Sequence, residues 1–62
     1  MIKTVIIDDE KLCIEVLESL LNAHYPDIQL AGTFTNPAQA VSFIQAQPPD
    51  LVFLDINMPG LN

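Results

Sequence analysis

The side chains best suited to chemistry in this chain are three aspartates, Asp8, Asp9 and Asp55, which stand where apolar runs stop. Asp8 and Asp9 follow Thr4-Val5-Ile6-Ile7, and Asp55 follows Leu51-Val52-Phe53-Leu54. If the two runs are neighbouring strands, about 4.8 Å apart, the three carboxylates share one small rim. Two like charges 4 Å apart repel by about 1 kcal/mol in water and about 4 kcal/mol at the effective dielectric of a protein surface, so the rim needs a counter-charge. The two lysines are poorly placed to supply it. Lys3 lies roughly 17 Å back along the first run at strand rise, and Lys11 falls inside the segment that follows. A hard divalent cation with oxygen ligands is the simplest remedy, and Mg²⁺ suits a site of few carboxylates that keeps several waters. A carboxylate beside such an ion can attack phosphorus and form an acyl phosphate, which fits phosphoryl transfer to Asp55.

Each acid also has a plainer reading. Asp8 and Asp9 could cap a helix beginning at Glu10, because acids favour the positive helix end. Asp55 could be an ordinary turn acid ahead of Pro59-Gly60. The joint arrangement favours a shared site: two apolar strands, each ending on acid. The Gly-rich dinucleotide fingerprint and the P-loop are both absent from a chain with two glycines.

The elements that must position these acids follow from periodicity. The β-branched run Lys3 to Ile7 predicts a strand buried on both faces of a parallel sheet. From Glu10 to Ala23, Leu12, Cys13, Val16, Leu17, Leu20 and Leu21 recur at three- and four-residue steps and predict an amphipathic helix. His24-Tyr25-Pro26-Asp27 ends it, and Ile28 to Thr33 forms a weaker strand containing Gly32. Asn36-Pro37 opens a second helix with a cap residue and an N1 proline, Gln39 stands as a capping-box partner, and Ala40, Val41, Phe43 and Ile44 form the buried stripe. Pro48-Pro49 closes that helix before the short apolar strand 51–54, and Met58-Pro59-Gly60-Leu61 suits a type II turn. The order β-α-β-α-β implies a parallel sheet with right-handed crossovers, in which function gathers at the carboxyl ends of the strands.

Composition sets the outer limits. With 62 residues, half of them hydrophobic, the chain has room for one domain with a thin core. The single Cys13 allows no internal disulfide, which points to a cytoplasmic setting. The start is too short for a signal peptide or a membrane span. A net charge of −6 repels nucleic acid and anionic membranes, so neither is an expected partner of this segment. Cys13 is expected to be a buried inert thiol, His24 to be structural or solvated, and Tyr25, Phe34, Phe43 and Phe53 to serve packing.

Val5-Ile6-Ile7-Asp8-Asp9-Glu10 together with Leu51-Val52-Phe53-Leu54-Asp55-Ile56-Asn57-Met58-Pro59-Gly60 resembles the receiver domains of two-component response regulators. The resemblance runs through the whole chain and follows the family's first half. It implies an α/β fold: a three-stranded parallel sheet of order 2-1-3 with two helices, a truncated flavodoxin-like receiver in which residues 1–62 form the N-terminal half. It also implies that Asp55 is the phospho-acceptor, that Asp9 binds Mg²⁺ directly, that Asp8 binds it through water and that Asn57 lends its backbone carbonyl. Met58, Pro59 and Gly60 would shape the loop over the site. The implied phosphoryl donor is a phospho-histidine on a sensor histidine kinase or a phosphotransfer protein. The wording Pro-Asp-Leu-Val-Phe-Leu-Asp most resembles regulators with a LytTR-type DNA-binding output.

A full receiver adds further strands and helices, with a hydroxyl residue and a lysine that grip the phosphoryl group. The acid pocket of this chain is therefore expected to be incomplete. The alternative reading is a non-catalytic half-domain fragment that self-assembles as a dimer or larger homo-oligomer through its exposed third strand, residues 51–54. A Mg²⁺-dependent phosphohydrolase is a third reading, disfavoured because the adjacent pair Asp8-Asp9 replaces the D-x-D pattern usual there.

Overall fold

A computed structural model describes residues 1–54, arranged as β1 (Ile2–Ile7), α1 (Lys11–His24), β2 (Ile28–Phe34), α2 (Pro37–Ala46) and β3 (Leu51–Leu54). The three strands form one parallel sheet in the order β2-β1-β3. The β-branched run of β1 is therefore central, and its two faces meet different helices. Val5 and Ile7 pack with Ala40 of α2, joined by Phe34, Phe43 and Ile44. Ile6 packs on the other side with Ile14 and Leu21 of α1, joined by Leu17, Ile28, Leu30 and Phe53. A continuous apolar strand is what burial on both faces demands.

β2 solves a parity problem. Ile2, Lys3 and Thr4 stand opposite Ile28, Gln29 and Leu30, but Val5 stands opposite Gly32, so Ala31 is left over as a bulge. Without it, Ile28, Leu30, Gly32 and Phe34 would all point to one face, because the side-chain period is two. Leaving Ala31 unpaired sends Ile28 and Leu30 toward α1 and Phe34 toward α2, where its ring lies 5.2 Å from that of Phe43 at an interplanar angle of 48°. Gly32 makes room for this pair. A Cβ there would fall 2.9 Å from Phe34 Cε2.

The predicted helices form with shifts in detail. α2 begins at Pro37, and Asn36 Oδ1 accepts from the Ala38 N–H at 2.8 Å. Gln39 makes no reciprocal bond to Asn36 among the described hydrogen bonds. Ala40 is buried and Phe43 and Ile44 are half-buried against β1 and β2, but Val41, expected in the buried stripe, is exposed.

In α1 the buried residues are Ile14 and Leu21, with Leu17 half-buried between them. Leu12, Val16 and Leu20 form a second ridge, 74%, 60% and 51% exposed. Of the six apolar residues that predict this helix, Leu17 and Leu21 turn toward the sheet, while Leu12, Cys13, Val16 and Leu20 are exposed and Ile14, outside that set, is buried. The apolar arc of α1 is wider than the three-stranded sheet beneath it, and residues 14, 17 and 21 take the central line. Cys13 is exposed for the same reason, which overturns its expected burial.

Candidate functional site

The register of β1 and β3 builds the site. Thr4, Val5, Ile6 and Ile7 pair in parallel with Leu51, Val52, Phe53 and Leu54. No strand stands between them, and both chains run toward the same end of the sheet. Beyond the couple Ile7 and Leu54, the next residue on the first chain is Asp8 and the next in sequence on the second is Asp55. Asp55, Asn57, Met58, Pro59 and Gly60 lie outside the described residues.

Asp8 is held at two points. Its N–H donates to the Phe34 carbonyl at 3.0 Å, which carries the β1–β2 ladder one residue beyond the strand. Its Oδ1 accepts from the Glu10 N–H at 2.9 Å, a short Asx-type turn that aims the chain into α1. The N-cap of α1 is Glu10, which has no side-chain cap bond. Neither Asp8 nor Asp9 therefore occupies the cap position itself, although Asp8 does shape the entry to the helix. Asp8 is half-buried, and Asp9 and Glu10 are exposed.

The cations are placed as the charge argument requires. Lys11 opens α1 and lines a cleft over β2 with Glu15, Glu18, Thr33, Thr35 and Gln39. Lys3 sits at the opposite end of β1 from the acids. Among the described residues no group of three His, Cys, Asp or Glu side chains gathers as a metal set. Oxygen donors at the carboxyl end of a central strand are the type that a hard cation takes.

Sequence reasoning passed over Asp50. Its N–H donates to the Lys3 carbonyl at 2.8 Å, and its Oδ2 accepts from the Lys3 N–H at 3.0 Å. The available signal was an aspartate just before an apolar run, where a short carboxylate commonly bonds a backbone N–H.

A three-stranded α/β unit with acids at the carboxyl end of its central strand defines a class, and comparison with known proteins narrows it. The family model described as response regulator receiver domain matches residues 4–62, and the chain belongs to that family. It is similar to the transcriptional regulatory protein BtsR of Salmonella typhi, 40% identical over 62 residues, which cover 100% of this chain and 26% of that protein. It is also similar to protein-glutamate methylesterase/protein-glutamine glutaminase 3 of Shewanella oneidensis, 40% identical over 62 residues, which cover 100% of this chain and 17% of that protein. Protein MrkE of Klebsiella pneumoniae is 35% identical over 60 residues, covering 97% of this chain and 22% of that protein. The chain thus spans about a quarter or less of the length of these relatives. No solved structure matches the chain. Proteins named for transcriptional regulation and for methylester hydrolysis share this stretch, so what it carries is the signalling domain common to them. No helix among the described residues is long and apolar enough to cross a membrane.

Proposed function

We propose that this chain is the phospho-accepting part of a response regulator, with Asp55 as the acceptor and residues 1–62 as the N-terminal half of the receiver. The reading rests on one observation: β1 and β3 are adjacent and parallel, and their register ends at Ile7 opposite Leu54, one residue before Asp8 and Asp55 in the sequence. The donor is a phospho-histidine of a sensor histidine kinase or a phosphotransfer protein. A carboxylate oxygen of Asp55 attacks phosphorus, a P–O bond forms, and the P–N bond breaks with its electron pair leaving on the imidazole nitrogen, which then takes up a proton. Asp9 would ligate Mg²⁺ directly, Asp8 through water, and Asp55 and the backbone carbonyl of Asn57 would complete the set. When bound, Mg²⁺ supplies positive charge to the phosphoryl oxygens. The chain's own residues prepare the place: the ladder bond from Asp8 to Phe34 and the turn onto Glu10 fix the backbone beneath the acid pair.

The setting is cytoplasmic, where sensor kinases present their phospho-histidine. The output of the whole protein is transcriptional, through a LytTR-type DNA-binding domain, as the chain's wording and its likeness to a transcriptional regulatory protein suggest. Neither nucleic acid nor membrane is a partner of the receiver segment itself, given its charge of −6.

The deciding experiment is incubation with Mg²⁺ and a small phosphodonor such as acetyl phosphate, followed by intact mass measurement. One added phosphoryl group that disappears in Asp55→Asn supports the proposal. The chain carried in a full-length receiver that stays unmodified with intact folding rules it out.

A second reading, a fragment that self-assembles through residues 51–54, is favoured by the exposure of Leu51, Val52 and Leu54, at 38%, 39% and 52% on a strand at the sheet edge among the described residues. Concentration-dependent sedimentation tests it independently of phosphorylation.

A further inference from the structure

The apolar run of β3 carries no register information of its own. Strands that alternate apolar and polar residues resist slipping, because a one-residue shift turns the apolar set to the wrong face. Leu51-Val52-Phe53-Leu54 is apolar at every position, and its side chains are at most half-buried, so a slip exchanges one apolar residue for another. Among the described residues four couples join β3 to β1. Something else must fix the height of β3.

Asp50 is placed to do so. In a regular parallel ladder, one residue's N–H and C=O bond to two residues of the neighbouring strand, two positions apart. Here both polar groups of Lys3 are taken by Asp50 alone, its N–H serving the Lys3 carbonyl at 2.8 Å and its Oδ2 serving the Lys3 N–H at 3.0 Å. The carboxylate replaces the backbone carbonyl that the next residue back along the ladder would have offered. This closed, two-point contact admits one register. A slip of one residue would raise or lower β3 by about 3.3 Å relative to β1.

We propose that Asp50 is a positioning residue for phosphoryl transfer: by locking Lys3 it sets the height at which β3 delivers the acceptor beside Asp8 and Asp9. The inference rests on the reading of Asp55 as acceptor. Asp50 lies five residues before Asp55 in the sequence, with the whole of β3 between them, so it acts through the register and not by contact with the phosphoryl group or the metal.

The test compares Asp50→Ala, which removes the acceptor oxygen, with Asp50→Asn, which keeps one, in the intact protein. Phosphorylation rate with acetyl phosphate is measured over a Mg²⁺ series, and cross-strand NMR contacts between β1 and β3 report the register. Asp50→Ala is expected to slow phosphorylation at least about tenfold per folded molecule, because misplacement by an ångström or more is that costly to a group-transfer step, and to shift or broaden the Val5 to Val52 contacts. Asp50→Asn is expected to restore both. A wild-type protein that takes no phosphoryl group overturns the acceptor reading and this inference with it. A phosphorylatable wild type whose Asp50→Ala variant reacts at the same rate per folded molecule, or whose Asp50→Asn variant fails to recover, overturns this inference alone.

Discussion

Ile7 of β1 stands opposite Leu54 of β3 in a parallel pair, and that couple is the last the two strands make among the described residues. In the sequence Asp8 follows the first and Asp55 the second, and the two strands run side by side toward the same end of the sheet. Function in open α/β sheets gathers at this end, and the family to which the chain belongs is a signalling one.

Removing a carboxylate from the acid pair should change the metal requirement before it changes folding. Asp9→Ala is expected to raise the Mg²⁺ concentration for half-maximal phosphorylation by at least about tenfold, the lower range seen even for outer-shell partners of a metal. Its far-ultraviolet circular dichroism should match that of the unaltered chain, because the Asp9 side chain is exposed.

Gly32 should tolerate no side chain while Phe34 and Phe43 keep their contact. Gly32→Ala is expected to destabilise by about 1–3 kcal/mol, the usual cost of overpacking. A Phe34→Leu change in the same chain should relieve part of that loss, since the nearest atoms to the new methyl are Phe34 Cε2 and Cζ, at 2.9 and 3.2 Å. Urea denaturation of the single and double variants measures the coupling.

The two ridges of α1 should respond very differently to truncation. Ile14→Ala removes a buried core side chain and is expected to cost about 2–5 kcal/mol, enough to unfold much of so small a domain. Leu12→Ala, on the exposed ridge, should stay within about 0.5 kcal/mol. Comparable losses at both positions would mean that the Leu12, Val16 and Leu20 ridge is covered in solution.

The cap of α2 offers a local test. Asn36→Ala deletes the acceptor for the Ala38 N–H and is expected to lower stability by about 1 kcal/mol, while Asn36→Asp or Asn36→Ser should retain most of it. Thermal unfolding separates the three.

Much of this was legible in the sequence because the signals were local. The β-branched run of β1, the Asn36-Pro37 helix start and the apolar 51–54 segment each name their own element, and the parallel 2-1-3 order followed from the family resemblance. The acid pair at the end of β1 was readable for the same reason. What escaped depended on partners far away in sequence. Which of the apolar residues of α1 meet the sheet is decided by the sheet, so the periodic set left out the buried Ile14 and included the exposed Leu12. The Asp50 contact spans 47 residues, and nothing near Asp50 announces Lys3 as its partner. The bulge at Ala31 is invisible to a periodicity count, because Ile28, Leu30, Gly32 and Phe34 keep perfect alternation in the chain while changing sides in space. The expected roles of Asp55, Asn57 and the Met58-Pro59-Gly60 loop fall on residues outside the described part and stand as proposals.

That bulge is a spare position, one residue that β2 carries and its pairing does not use. Delete Ala31 and every couple can still form: Leu30 stays opposite Thr4, Gly32 stays opposite Val5, and Phe34 keeps its place beside Phe43, with only the local kink lost. Natural relatives can consequently drop a residue at this point and keep both faces of the strand, whereas losing the paired Thr33 would bring Phe34 round opposite Ile6, on the α1 side.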